Sequence, residues 1–491
     1  MQPTVDSVVA PEPPHAPARE AGRAATRAVA LAGLAVIVLA AASLEGFVLP
    51  VLPQLQRDFG VDAATGALAS VVPTVITVIV TPLAGRLADV HGANKTLAWL
   101  LAIVIAGGLT SAFGPTFPTF IVGQALQGFA LGIIPVGFVA LRQLFPAEQI
   151  KTASGVLVSM SIAGAGLGVL IAGPIIDATS RAVLYAVPTG LVALGGALFF
   201  AAARRGQAKT GDSDARGDAA PARTDWLGAS VFALALVVLV FALSSTSTLG
   251  WGAPLTLGYF AGAAVLFAAW TWVERRVREP MIDVSTLATR AVGGSVAVGV
   301  AIGAGYAPLV FLVPQLIGQP VETGFGLGAS ATTTGYYLTA AYAAGVIASV
   351  LAGKLAQRRS ARLVGWVAMA SLATGAALAA VGAAPILIIG ALVFAGIGAA
   401  AASTVVYAAA AVGANEHEVG VSTALITIAR AVGGAFATQI VASIITGDGG
   451  TPDFATFRSA FLVAAALAAA GAIAAAALLP RDRQQRAKVT S

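Results

Sequence analysis

Two charged side chains stand inside long apolar runs of this sequence. Glu45 lies within the run 29–51 and Arg430 within the run 420–446. Placing a charge in the middle of a hydrocarbon layer costs about 2.5 to 3.5 kcal/mol on insertion scales, so such residues usually face a partner or a water-filled cavity. We expect Glu45 to exchange protons, because an apolar surrounding penalises the ionised form of a carboxyl group.

The sequence leaves the partner of Arg430 open. Arg430 could pair with Glu45, or contact Gln124, backbone carbonyls or a bound substrate. Glu45 lies about sixteen residues into its run and Arg430 about eleven into its own, so the two differ in depth by several ångströms if both runs are helices.

Other polar side chains fall at similar depths in the apolar runs. They are Gln124, Gln127, Tyr306, Gln315, Tyr336, Tyr342 and Tyr407. Each of them could form a hydrogen bond between helices or contact a substrate. Together with Arg430 they predict a cavity that is mainly apolar and aromatic, which suits amphipathic organic molecules better than sugars or phosphates.

The elements that carry these residues are apolar segments about twenty residues long. The chain of 491 residues is 58% hydrophobic and 10% charged, whereas a soluble fold carries about 25% charged residues. Helices of that length cross a hydrocarbon core of about 30 Å. The sequence predicts an all-α membrane protein with fourteen spans, near 29–51, 64–88, 96–113, 117–141, 153–176, 183–203, 227–246, 254–273, 292–317, 331–356, 363–381, 384–410, 420–446 and 457–479.

Basic residues divide unequally between the segments that join these spans. If the N-terminus is cytoplasmic, 24 of the 28 Lys and Arg residues lie on the cytoplasmic side, and three (Arg57, Arg181 and Arg458) lie outside. The positive-inside rule predicts this asymmetry. We therefore expect both termini in the cytoplasm of a cell with the protein in its plasma or inner membrane, and we read the net charge of +6 as a sign of lipid headgroups and not of nucleic acid.

An alternative interpretation of the N-terminus is a cleaved signal peptide. Arg23 and Arg27 precede an apolar core, and "AAAS" (40–43) resembles a cleavage site. The leader would be unusually long, and the apolar run continues past Glu45, so we favour a first span.

An internal echo indicates two related halves. "AGRLADVHGANKTLAWL" (84–100) follows the second span, and "AGKLAQRRSARLVGWV" (352–367) follows the tenth. Transporters are often built from such repeats, with the binding site between them. We expect a cytoplasmic tail at 1–27, a six-helix half at 28–203, a flexible cytoplasmic linker at 204–225, two inserted helices with their following loop at 226–290, a second six-helix half at 291–480, and a tail at 481–491.

Short motifs in a fixed order resemble one transporter family. They are "GRLAD" with Gly92, "LQGFALG" (126–132), "GAGLGVLIAGP" (164–174), "TDWLGA" (224–229) with "VERRVREPMID" (273–283), and the stretches "SLEGFVLPVLP", "TGFGLGAS" (323–330) and "IARAVGG" (428–434). The set resembles the major facilitator superfamily, and within it the fourteen-helix drug:proton antiporter branch in its actinobacterial type. Departures include Gln124 in place of an Arg, Gln357 where the first-half repeat has Asp89, and Asp177 with Ala178 in place of paired glycines.

The resemblance implies roles for two sets of residues. The loop motif Gly85, Arg86, Asp89, Gly92 and Lys95 would form the inner gate, in which Asp89 holds the outward-open state; the alternative is that Asp89 is a solvated loop carboxylate. Gly164, Gly168, Gly173 and Pro174 would form a helix-packing seam, at which small residues allow close approach.

The implied function is proton-coupled export of small hydrophobic or cationic organic molecules by alternating access. The chain has no cysteine and its three histidines fall in a tail or in loops, so we expect no metal, no catalytic site and no cofactor beyond the proton gradient. We expect small molecules, protons and membrane lipid as partners, and a monomer. Export of an endogenous metabolite, or a transport-inactive sensor or scaffold, is the alternative.

Overall fold

The protein is built from helices that follow the apolar runs of the sequence. The computed structural model describes residues 16–207, 226–277, 290–413, 419–446 and 452–479. Within these ranges lie fifteen α-helices: α1 (Ala16–Phe59), α2 (Ala63–His91), α3 (Ala93–Phe113), α4 (Phe117–Gln127), α5 (Ile133–Leu144), α6 (Ala147–Ala178), α7 (Arg181–Gln207), α8 (Trp226–Leu249), α9 (Pro254–Glu274), α10 (Arg290–Ile317), α11 (Ala331–Arg358), α12 (Ala361–Val381), α13 (Pro385–Gly413), α14 (Val419–Thr446) and α15 (Phe454–Leu478).

The described helices account for all the predicted spans. Thirteen stretches are long and apolar enough to cross a membrane, and α8 contains a shorter apolar stretch, Ser230–Thr246. α4 and α5 together make one of the thirteen, because a single 3-10 turn, Ala130–Gly132, joins them. Each of the fourteen predicted spans overlaps one of these stretches, so the prediction of an all-α chain that crosses the membrane many times is confirmed.

Two helices continue beyond the apolar runs that predicted them. α1 begins at Ala16, so part of the predicted tail 1–27 is helical, and α7 continues to Gln207, inside the predicted linker 204–225. The added residues are mostly Ala and Arg, which are good helix formers in water. The rest of the linker and the C-terminal tail lie outside the described residues.

The fourth span is interrupted where the sequence predicts a continuous helix. The Thr77 hydroxyl of α2 donates to the carbonyl oxygen of Gly128 at 2.9 Å, and the Gly132 N–H bonds to Phe129 instead of to Gly128. A side chain that takes a carbonyl from the helical ladder produces this kind of kink. The break therefore arises from a contact with a neighbouring helix.

The two halves repeat each other with a constant shift in residue number. Adding 268 to the starts of α2, α3 and α4 gives the starts of α11, α12 and α13: Ala63 and Ala331, Ala93 and Ala361, Phe117 and Pro385. The first half comprises α1 to α7, and the second comprises α10 to α15. The inserted helices α8 and α9 pack on each other, and α8 contacts α2 and α14. This agrees with two six-helix halves and an inserted pair.

Connections alternate between the two ends of the bundle. We call the end where α2 meets α3 and α11 meets α12 the basic face, because Lys95, Arg358 and Arg359 lie there. The other end, where α1 meets α2 and α10 meets α11, is the opposite face. The contacts between the two halves are not shared equally between these two faces.

Candidate functional site

A cavity of about 340 Å³ lies between the two halves. Its wall comes from α1, α2 and the turn after α4 in the first half, and from α10, α11 and α14 in the second. Aliphatic and aromatic side chains make up much of this wall. The side chains that can carry charge or exchange a proton are Glu45, Tyr306, Tyr342 and Arg430. The cavity thus combines an apolar surface with one carboxyl group, Glu45, and one guanidinium group, Arg430.

Glu45 stands where this cavity meets a second one. The second cavity, of about 280 Å³, lies within the first half and is lined by Glu45, Gln124 and Gln127. The Glu45 side chain is exposed to this interior space although it lies well inside α1. A carboxyl group at that depth reaches water only through the cavities, so its protonation depends on which face they open to.

Arg430 is held within the second half. Its Nη1 donates to the Tyr407 hydroxyl at 3.5 Å, and that hydroxyl lies 2.9 Å from the Thr427 hydroxyl. Its Nε is buried and has no hydrogen-bond partner among the described residues. Arg430 therefore keeps unused donor capacity beside the cavity, and Tyr407 reaches the cavity through Arg430 and Thr427.

Two tyrosines, Tyr306 and Tyr342, line the same cavity as Glu45 and Arg430. In the described part of the chain, Glu45 and Arg430 do not approach within the 4.0 Å of an ion pair. The direct pairing considered from the sequence is absent here, and the two charges face the cavity separately.

Gln124 and Gln127 act as bonds between helices and also as cavity wall. Both are buried, and their Nε2 atoms donate to the Ser111 hydroxyl of α3 at 3.2 and 2.9 Å. Both also line the first-half cavity beside Glu45. The structure thus shows the hydrogen bonds between helices, and contact of Gln124 and Gln127 with a substrate stays a prediction.

The structure places two predicted cavity residues elsewhere. Gln315 is buried near the opposite face, where its Nε2 donates to Gln56 Oε1 at 2.7 Å. Tyr336 is 57% exposed and lines neither cavity. Because each residue turns a helix by about 100°, Tyr336 points about 120° away from Tyr342, six residues later. The prediction used depth alone, and the structure does not bring Gln315 and Tyr336 into the two cavities beside Glu45.

A line of hydroxyl groups on α2 was missed. Ser70, Thr74 and Thr77 line both cavities and are spaced by four and three residues, which places them on one helix face. Ser70 and Thr74 donate to backbone carbonyls of α2 itself, so they enter the membrane without unpaired donors. The spacing is visible in the sequence and could have identified them.

The loop motif lies at the basic face. Gly92 ends α2 with a φ of +88°, a left-handed conformation that favours glycine. Gly85 lies beside Pro135 of α5, and Lys95 is exposed. The side chains of Arg86 and Asp89 lie outside the described residues, so the gate role of Asp89 stays a prediction.

The small residues of α6 lie where helices approach closely. A Cβ atom at Gly164 or Gly168 would meet the backbone carbonyl of Leu39 or Ser43 in α1. Pro174 lies within α6. Gly173 differs from the others, because it lies against the backbone of Ala331 and Thr332 in the second half.

Hydrogen bonds between the halves close the opposite face. They are Gln315 to Gln56, Gln439 Nε2 to the Ala64 carbonyl at 3.2 Å, the Ala64 N–H to Thr446 Oγ1 at 3.1 Å, and the Thr332 N–H to Asp177 Oδ2 at 2.9 Å. We call these four contacts, with Gly173, the seal. These contacts join the two halves at the opposite face.

The sequence as a whole matches a known family. The model of the Major Facilitator Superfamily matches residues 34–325 and 296–491. The chain belongs to the major facilitator superfamily. It is therefore a multi-pass membrane transporter of small molecules and not an enzyme, and the resemblance stated from its motifs is confirmed.

Curated relatives of this transporter carry resistance names. The puromycin resistance protein of Streptomyces alboniger is 29% identical over 84% of this chain and 81% of its own length. Multidrug resistance protein 3 of Bacillus subtilis is 26% identical over 70% of this chain and 64% of its own length. The tetracenomycin C resistance and export protein of Streptomyces glaucescens is 29% identical over 48% and 42%.

Solved structures agree with this transporter in fold. A point mutant of the nucleoside transporter NupG superposes with a TM-score of 0.63 at 11% identity, covering 92% of this chain and 100% of that one. An auto-inhibited peptide transporter of the POT family gives 0.61 at 16% identity, covering 92% and 96%. At these identities the likeness shows the fold alone.

Proposed function

We propose that this transporter exports small hydrophobic or cationic organic molecules in exchange for protons. The observation that carries the proposal is Glu45, the one carboxyl group among the described residues that lines the mainly apolar cavity between the two halves. An acidic group with access to one side at a time meets the requirement for coupling. The resistance names of the relatives point to the same class of substrate.

Each part of the cavity has a role in the proposed transport cycle. Substrate enters from the basic face and displaces the proton of Glu45, since both compete for the same carboxyl group. The seal then opens while the basic face closes, substrate leaves, and a proton from outside returns to Glu45. Tyr306, Tyr342 and Arg430 line the path, and the apolar wall holds the body of the substrate. The transporter works as a monomer, and the proton gradient is its only energy source.

The direction of export requires the basic face to be cytoplasmic. The unequal division of Lys and Arg supports this orientation. Reporter fusions after Gly211 and after Lys488 are expected to report cytoplasm. A periplasmic signal at either place would contradict the proposed orientation.

Transport in reconstituted vesicles tests the proposed function. Vesicles that contain the protein are given an imposed proton gradient together with puromycin or a lipophilic cation such as tetraphenylphosphonium. We expect uptake against the concentration gradient, with proton movement in the opposite direction, and we expect a protonophore to abolish both. Uptake of compound without proton movement would contradict antiport, and the absence of both for every compound of this class would contradict the function.

A further inference from the structure

Two apolar grooves lie on the outside of the bundle, one on each half. The first, of about 420 Å³, runs along α2 and α3. The second, of about 480 Å³, runs along α11 and α12. Neither shares a lining residue with the two interior cavities. The grooves therefore need an explanation apart from the transport path.

The two grooves are copies of each other, residue by residue. Adding 268 to the number of each of the eleven residues that line the first groove gives a residue that lines the second. His91 corresponds in this way to Arg359, Trp99 to Val367, and Phe129 to Ile397. The short sequence echo thus continues as a repeated surface feature in three dimensions.

Each groove is apolar along the bundle and basic at its end. Trp99 is 66% exposed and Val367 is 52% exposed, so the middle of each groove is open toward the lipid. At the basic face the first groove ends at His91 and Lys95, and the second ends at Arg359. All three of these side chains are exposed. No acidic residue lines either groove.

We propose that each groove binds one anionic phospholipid. An acyl chain lies in the apolar part, beside Trp99 or Val367, and the phosphate group lies against Lys95 and His91 in the first groove or Arg359 in the second. Basic residues at the ends of membrane helices attract anionic headgroups in this way. The occupant is a lipid because the groove is open to the hydrocarbon phase and its cations lie at headgroup level.

Tryptophan quenching by brominated lipid tests both grooves. One protein keeps only Trp99, with the other five tryptophans replaced by Phe; a second has all six replaced and carries Val367→Trp. A third keeps only Trp366, which is 45% exposed but lines neither groove. Each is placed in phosphatidylcholine vesicles with a small fraction of brominated phosphatidylglycerol or brominated phosphatidylcholine. Circular dichroism first shows that each protein is folded.

We expect brominated phosphatidylglycerol to quench the first two proteins more strongly than brominated phosphatidylcholine, and to quench the third equally. His91→Gln with Lys95→Gln lowers the preference at Trp99, and Arg359→Gln lowers it at position 367, by about fivefold for each Lys or Arg charge removed. Each change leaves the other groove unaffected. Arg358→Gln is the matched control, since Arg358 is exposed next to Arg359 but does not line the groove.

Four results would overturn the proposal. The first is equal quenching by the two lipids at Trp99 and at position 367, and the second is a preference that survives the His91, Lys95 and Arg359 substitutions. The third is displacement of the brominated lipid by a transported organic cation at low concentration, which would make the grooves substrate sites. The fourth is loss of preference in the Arg358→Gln control, which would show that general surface charge, and not the groove, attracts the lipid.

Discussion

Charged side chains are used differently at the two faces of the molecule. At the opposite face, carboxylates accept backbone hydrogen bonds: Asp62 caps α2, Asp453 caps α15, and Asp177 reaches across to α11. At the basic face, cations such as Lys95 and Arg359 are exposed toward the membrane boundary. These three carboxylates therefore bind other parts of the protein, whereas these two cations are available to its surroundings.

In the proposed transport cycle, the contacts at the opposite face must break for substrate to leave. A hydrogen bond between protein groups contributes about 0.5 to 1.5 kcal/mol net, so the four bonds of the seal sum to a few kcal/mol. Binding of a proton or substrate can shift an equilibrium of that size if the two states differ in affinity. The seal can therefore favour the state in which the opposite face is closed, and binding of a proton or substrate can still open it.

Glu45 gives the largest expected effect, because the proposed cycle requires both faces to reach its carboxyl group in turn. Glu45→Gln keeps the shape and hydrogen bonding of the side chain but cannot titrate, and loss of a charge does not hinder membrane insertion. We expect transport driven by a proton gradient to fall to the level of protein-free vesicles, while substrate still binds. Glu45→Asp, which can still ionise, should keep part of the activity. Full gradient-driven transport by Glu45→Gln would instead favour a purely structural hydrogen-bonding role.

Gly173→Ala breaks the seal by crowding it. The added methyl group would meet the backbone of the second half, and overpacking of this kind costs about 1 to 3 kcal/mol. We expect the opposite face to open more often. The chain has no native cysteine, so the reaction of Thr74→Cys with an impermeant reagent added at that face measures the opening, and it should speed up severalfold.

Gly166→Ala is the matched control for Gly173→Ala. Gly166 lies on the same helix, and a Cβ atom there meets nothing within 4 Å. We expect unchanged reaction at Thr74→Cys and a gain in stability of about 0.5 to 1 kcal/mol, since alanine favours helix more than glycine does. Equal effects of the two substitutions would rule out crowding at the seal.

Asp177→Asn and Asp89→Asn should shift the equilibrium between the states open at the two faces in opposite directions. Asn can accept the Thr332 hydrogen bond but has no charge, so Asp177→Asn should weaken the seal by about 1 kcal/mol. Asp89→Asn should favour the state open at the basic face, as the motif resemblance implies. Reaction rates of Thr74→Cys with reagent at each face give both shifts, and shifts in the same direction would remove Asp89 from the gate.

Asp453 gives the smallest expected effect, which is confined to acid pH. Hydrogen bonds from the Thr456 N–H and hydroxyl hold the pKa of Asp453 below its ordinary value. A lowered pKa stabilises the folded state above the unfolded pKa of about 3.9, and that contribution is lost as pH falls through the folded value. Between pH 5 and pH 3 we expect the Tm of the native protein to fall slightly more than that of Asp453→Asn. Parallel curves would mean that the cap does not titrate.

The spans could be predicted from sequence because length and hydropathy alone decide them. The break after Gly128 could not, since it depends on the Thr77 hydroxyl of another helix. Glu45, Tyr306 and Arg430, which were selected by depth along a run, line one cavity. Tyr336 was selected in the same way but does not line it, because depth says nothing about which side of the helix a residue occupies.

The seal could not be predicted for a further reason. Asp177 was noted only as a departure from a motif, and its partner Thr332 lies 155 residues away. Contacts across the halves depend on which state the protein occupies, and a single sequence carries no signal for that. The constant shift of 268 residues was visible only as a short echo until the helix boundaries were known.

Proton release on substrate binding tests the central claim most directly. Purified protein in weakly buffered detergent solution with a pH-sensitive dye is mixed with puromycin or tetraphenylphosphonium, and binding is followed separately by calorimetry. If substrate displaces the proton of Glu45, the native protein releases protons on binding, and Glu45→Gln binds without releasing any. Equal proton release by the native protein and by Glu45→Gln would show that another group carries the proton and would contradict the account.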